Sequence, residues 1–161
     1  MRANSSSPGF SMLYNALKLL HLLSIIVWVG GMVFAHFFLR PAAQQLEPPL
    51  RVALMHGVLQ RFLAAVGIAV VLALTSGLAM IGMVSMGGGF SMPADWNFMS
   101  GLGLLMMAIY GYIYLALLSR LDNAVAQADW PAGAQALARI RSWVSMNLLL
   151  GMAIIVVVLL W

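Results

Sequence analysis

The sequence predicts an all-α integral membrane protein, a four-helix bundle of antiparallel up-down topology forming a single domain over residues 1–161. Three observations predict it. Apolar residues make up 63% of the chain and charged residues 7%, at a mean hydropathy of +0.99, too little charge to clothe a soluble domain. Four apolar stretches, at about 12–39, 62–84, 98–118 and 143–161, each reach the roughly 20 residues needed to cross a hydrocarbon core about 30 Å thick. The loops between them are short and leave no room for a soluble catalytic domain.

The first stretch, Met12 to Leu39, is longer than the roughly 7–15 apolar residues of a secretory signal and is expected to be a retained span. It ends at Arg40-Pro41, a charged stop followed by a helix breaker. Gly30-Gly31 offers a neighbouring helix a close approach. The segment Arg51 to Arg61 mixes polar and apolar residues and reads as a helical lead-in lying at the inner interface. The second span, Phe62 to Val84, carries Ala65, Ala69, Ala73 and Gly77 at four-residue intervals, a smooth stripe for packing. A turn-rich loop from Gly87-Gly88-Gly89 to Asn97 follows, with Asp95 as N-cap of the third helix and Trp96 at the outer interface. After the third span, Phe98 to Leu118, Asp129-Trp130-Pro131 reads as a cap with proline in the first turn, starting the fourth helix near Pro131. Asn147, inside the Trp143 to Trp161 span, is expected to hydrogen-bond between helices.

Arginines sort by side. Arg40, Arg51 and Arg61 flank the first loop and Arg120, Arg139 and Arg141 the last, while the middle loop has none. Arg2 and Lys18 are outnumbered. Both basic loops are therefore expected in the cytoplasm and both termini outside. The net charge of +4 suits this topology and anionic headgroups of the lipid bilayer; no aromatic–basic interleaving points to nucleic acid. The absence of cysteine excludes disulfides, thiolate metal sites, iron–sulfur clusters and covalent c-type haem.

Ionisable side chains inside a bilayer are costly and mark function. Lys18, His21, Trp28 and His36 fall within an arc of roughly 80° on a helical wheel, so this face is expected to look into the bundle. His21 and His36 lie about 22 Å apart along the axis and cannot share an ion. His21 and Lys18 belong to the outer half. His36 and His56 can meet at the inner interface and hold a metal or a haem iron. Met80, Met83 and Met86, spaced i, i+3, i+6 at the outer end of the second span, are soft ligands suited to Cu(I). Asp95, Asp122 and Asp129 are expected in loops or at caps and Glu47 in a turn, with no pairing suited to acid–base catalysis, so no catalytic residue is assigned.

Lys18-Leu19-Leu20-His21, then Trp28-Val29-Gly30-Gly31 and Leu39-Arg40-Pro41, resemble the opening helix of the copper-resistance protein D (CopD) family. Arg51, His56, Gln60-Arg61-Phe62 and Thr75-Ser76-Gly77 are similar to its second segment, and Arg139-Ile140-Arg141 with Asn147 through Gly151 to its last. The resemblance implies a bacterial inner-membrane protein that binds or transports copper, here in a short, stand-alone form. The same opening also resembles the small haem-pathway membrane family that oxidises protoporphyrinogen, where the first-helix histidine, His21 here, is associated with b-type haem. That family has a Pro-Arg pair where this chain has His36-Phe37. Copper handling is thus the leading expectation. The alternatives are a haem b redox protein, with histidines or Lys18 as axial ligands, and a non-catalytic accessory subunit; four helices are few for a closed pathway, which favours a homodimer.

Overall fold

The computed structural model describes residues 8–86 and 91–160. The expectations placed on Arg2, on Gly87–Gly89 and on Trp161 lie outside these described residues. Four long helices form the molecule: α1 (Pro8–Ala43), α2 (Pro48–Ser85), α3 (Ala94–Ala126) and α4 (Trp130–Leu160), of 36, 38, 33 and 31 residues. Each contains a window long and apolar enough to cross a membrane, and only 17–28% of that window is buried within the protein. Leu19, Ile26, Phe38, Ile68, Leu115 and Leu159 accordingly point outward. Against lipid, apolar burial supplies little drive; close packing and interhelical hydrogen bonds hold such helices together.

The second helix starts well before Phe62, so the Arg51–Arg61 lead-in is helical, as its sequence suggested, and continuous with the span. Pro48 and Pro49 occupy its first turn, where a missing N–H costs nothing, and the Arg51 N–H donates to the Glu47 carbonyl at 2.9 Å. Val52 and Leu59 are buried, so the Arg51–Arg61 stretch is packed against the rest of the protein.

The first helix is not a uniform α-helix. Ile26–Gly30 and Ala35–Leu39 are π-helical turns, as is Ile113–Leu117 within α3. A π turn accommodates an extra residue, setting back the phase of everything beyond it by roughly 100°. The second one precedes Pro41, which cannot donate to the Phe37 carbonyl and crowds it. The helical wheel across 18–36 is broken by the first of these turns, and His21 and His36 turn toward different helices.

The helix junctions are built from capping geometry. Pro93, not Asp95, is the N-cap of α3, and Asp95 lies inside the first turn, where its carboxylate complements the helix dipole. Between α3 and α4, the Ala128 N–H bonds to the Val125 carbonyl at 3.1 Å and the Asp129 N–H to the Ala124 carbonyl at 2.9 Å. This is a Schellman ending, with Ala128 in the left-handed region at φ 53°. Asp129 then caps α4, its carboxylate accepting from the Ala132 N–H at 3.0 Å, as expected from the sequence.

Side chains bury along two clusters. Near the arginine-bearing end Val52, Leu59, Leu117, Leu121 and Ile140 pack together; farther along, Trp28, Met32, Val66, Met106 and Leu148 do so. Gly31 faces the Phe62 ring, leaving no room for a Cβ, whereas Gly30 faces open space. Of the small-residue stripe on α2, Ala69 and Ala73 are buried but Ala65 is exposed. A four-residue repeat drifts about 40° per step and winds off the buried face.

Candidate functional site

His21 on α1 is half-buried against α2. Its Nδ1 lies 2.9 Å from the Ala73 carbonyl oxygen and 3.2 Å from the Ser76 hydroxyl oxygen. A carbonyl only accepts, so Nδ1 carries the hydrogen and donates it. In the neutral form of the ring this fixes the tautomer whose lone pair sits on Nε2, the arrangement in which a histidine serves a metal through one nitrogen while the other is tethered. Ser76 donates its own hydrogen to the Leu72 carbonyl, which leaves its oxygen as an acceptor toward the ring. Gly77 completes the seat: a Cβ there would stand 3.4 Å from His21 Cε1.

Ala69, Ala73, Ser76, Met80 and Met83 fall within an arc of roughly 80° around α2. The two methionines thus continue, toward the outer end predicted from charge, the stripe on which His21 rests. Both are half-buried. Met86 lies about 60° beyond Met83 and is 81% exposed at the helix end. Lys18 is exposed, its long stem reaching outward rather than into the protein.

The other two histidines engage different helices. His36 Nδ1 lies 3.4 Å from the Ser145 hydroxyl on α4. His56 Nε2 lies 2.6 Å from Asp122 Oδ1 on α3, an oxygen that also accepts from Gln60 Nε2 at 3.2 Å. Asp122 therefore sits within a helix and is paired, not in a loop as its sequence setting suggested. Asn147 is buried at 2% exposure, and its Oδ1 has no hydrogen-bond partner among the described residues, contrary to the bridging role expected of it. Among those residues no group of three or more His, Cys, Asp or Glu is placed to hold a metal ion. Ser76 and Asp122 are the site residues that sequence reasoning passed over, and only Ser76, one turn before Met80, left a signal in the spacing.

Four long apolar helices, outward-facing apolar side chains and histidines set against neighbouring helices define a polytopic helical membrane protein. The chain belongs to the copper resistance protein D (CopD) family, whose sequence profile matches residues 56–161. The match takes in His56, Met80 and Met83 and leaves α1, with His21 and His36, outside it. Comparison with curated proteins and with solved structures gave no match, and nothing in these comparisons supports the haem-pathway resemblance.

Proposed function

We propose that this protein binds cuprous ion as its cargo and passes it through the bacterial inner membrane along the α1–α2 interface, by way of Met83, Met80 and His21. The observation that carries the reading is the Ala73 carbonyl bonded to His21 Nδ1, which leaves Nε2 as a lone-pair donor on the methionine-bearing stripe. Thioether sulfur and imidazole are ligands of the softness Cu(I) prefers, and a chain without cysteine has no softer donor. The family match supports copper as the metal. Neighbouring helices run in opposite senses in this reading, an up-down bundle with its termini and methionines outside and its arginines in the cytoplasm. His21 beside Ala73 and Gly31 beside Phe62 have the register such a bundle requires.

The path does not use Met86, which leaves the stripe, or His36, which shares its surroundings with arginines. The test is a titration of detergent-purified protein with Cu(I) against a competing chelator. His21→Ala and the pair Met80→Leu with Met83→Leu should each weaken binding by about tenfold or more, while Met86→Leu should leave it unchanged. Unaltered affinity in the first two variants would overturn the proposal.

A further inference from the structure

Between α1, α2 and α4, at the arginine-bearing end, lies a cavity of about 300 Å³. Arg40 from α1, Arg51 from α2 and Arg141 from α4 line it together with His36. The remaining wall is largely apolar, with Val52, Leu59, Ile140 and Val144 among its residues. Among the described residues no carboxylate lines it. Among the described residues the one ion pair, His56 with Asp122, lies elsewhere, and none of these three guanidiniums has a side-chain or backbone acceptor. The contrast with Arg61 is informative, because that side chain satisfies itself on the Gly57 carbonyl one turn away.

Three guanidiniums from three helices facing one half-apolar space repel one another, more strongly there than in open water. Their convergence is favourable only with an anion among them. Guanidinium forks match the oxygens of a phosphate, which offers several acceptors to donors arriving from different directions. The volume is at the lower end for small-molecule sites and exceeds what a bare phosphate needs. The apolar wall accounts for the difference, as it would receive the glycerol and the first methylenes of an acyl chain. Basic pockets between helices near the cytoplasmic boundary bind anionic lipid headgroups by this chemistry.

We infer that this cavity is a binding site for the phosphate group of an anionic phospholipid. Ser145 orients the His36 ring from the α4 side, and the ring adds a polar group to the arginine set. The inference is independent of the copper path, which it does not share a residue with.

Native mass spectrometry of the detergent-solubilised full chain tests it, with phosphatidylglycerol, phosphatidylcholine and inorganic phosphate added in separate titrations. Phosphatidylglycerol should bind about tenfold or more tightly than phosphatidylcholine, and Arg51→Gln with Arg141→Gln should remove that preference. Arg139→Gln, which removes a charge at the same end but outside the cavity, should keep it. Ala138→Leu fills the cavity while leaving every charge in place and should also weaken the lipid, which separates loss of the site from loss of fold. Equal weakening in Arg139→Gln, or full preference in the double variant, would overturn the site. Saturable binding of inorganic phosphate with no preference for phosphatidylglycerol would overturn the lipid as its occupant.

Discussion

Gly67 and Tyr110 form a contact whose two halves can be changed separately. Tyr110 donates its hydroxyl to the Leu63 carbonyl at 3.0 Å, crossing from α3 to α2, and a Cβ on Gly67 would stand 2.6 Å from that hydroxyl oxygen. Gly67→Ala must therefore push the hydroxyl away. The hydrogen bond contributes about 0.6–1 kcal/mol in a membrane protein, and the overlap adds about 1–3 kcal/mol of strain. The better helix propensity of alanine returns about 1 kcal/mol, leaving a net cost of about 1–3 kcal/mol. Tyr110→Phe alone should cost about 1 kcal/mol or less. In the double variant the next ring atom, Cζ, is 3.6 Å from the new Cβ, an ordinary contact. Stability should then return to within about 1 kcal/mol of the parent, so the two changes are strongly non-additive. Reversible unfolding in mixed micelles, followed by circular dichroism, measures all four proteins. A Gly67→Ala protein as stable as the parent, or additive losses in the double variant, would refute the reasoning.

The remaining predictions concern the polar contacts and junctions. His56→Ala and Asp122→Asn should each lower stability, and a double-mutant cycle should give a coupling of about 0.5–1 kcal/mol, modest because Asp122 is 43% exposed; zero coupling in micelle unfolding would dismiss the pair as a tie between α2 and α3. Ala128→Gly relieves a left-handed alanine and should gain about 0.5–1 kcal/mol after the entropy of glycine is subtracted, whereas Ala128→Val should lose stability on thermal melting. Asn147→Leu removes a buried carbonyl oxygen without a protein partner and should raise stability by about 1–2 kcal/mol in the same assay. A lower melting temperature in that variant would mean the amide is satisfied in the membrane.

Hydropathy made the four spans legible, because the bilayer imposes a minimum length on each one. Local chemistry made the Asp129 cap legible too, since the capping side chain, the proline and the helix they start are neighbours in sequence. Asp95 shows where that reasoning fails: a good capping residue lost the position to Pro93, two residues earlier, and kept only the dipole role. The long-range pairs were not readable. Asp122 reaches His56 across 66 residues, and the register of two helices that places them together is set by packing along their whole length. His36 does turn inward, but toward a different neighbour from His21, and that difference was not readable because a wheel at constant pitch has no place for a π turn. Pro41 was the visible cause of one of the two, and nothing in the residues around Ile26–Gly30 announced the other.

The two proposed sites lie toward opposite ends of the molecule and have opposite electrostatics, which links them. On the proposed path, with the arginines in the cytoplasm, a cuprous ion leaving His21 moves toward Arg40, Arg51 and Arg141. At a separation of roughly 8 Å and an effective dielectric of about 20, each guanidinium opposes a cation by about 2 kcal/mol, so three oppose it by about 6. A barrier of that size would slow exit by more than a thousandfold, and one or two negative charges seated in the cavity would cancel much of it. Copper movement should therefore depend on anionic lipid, while binding at His21 should not. Vesicles of phosphatidylcholine alone and vesicles containing phosphatidylglycerol, reconstituted with the same protein, distinguish the two steps. Copper uptake should be markedly slower in the first, with Cu(I) affinity unchanged, and Arg51→Gln with Arg141→Gln should restore uptake there by removing the opposing charge. Equal uptake in both membranes would show that the ion never approaches the arginines, and the route would then have to leave the α1–α2 interface before reaching them.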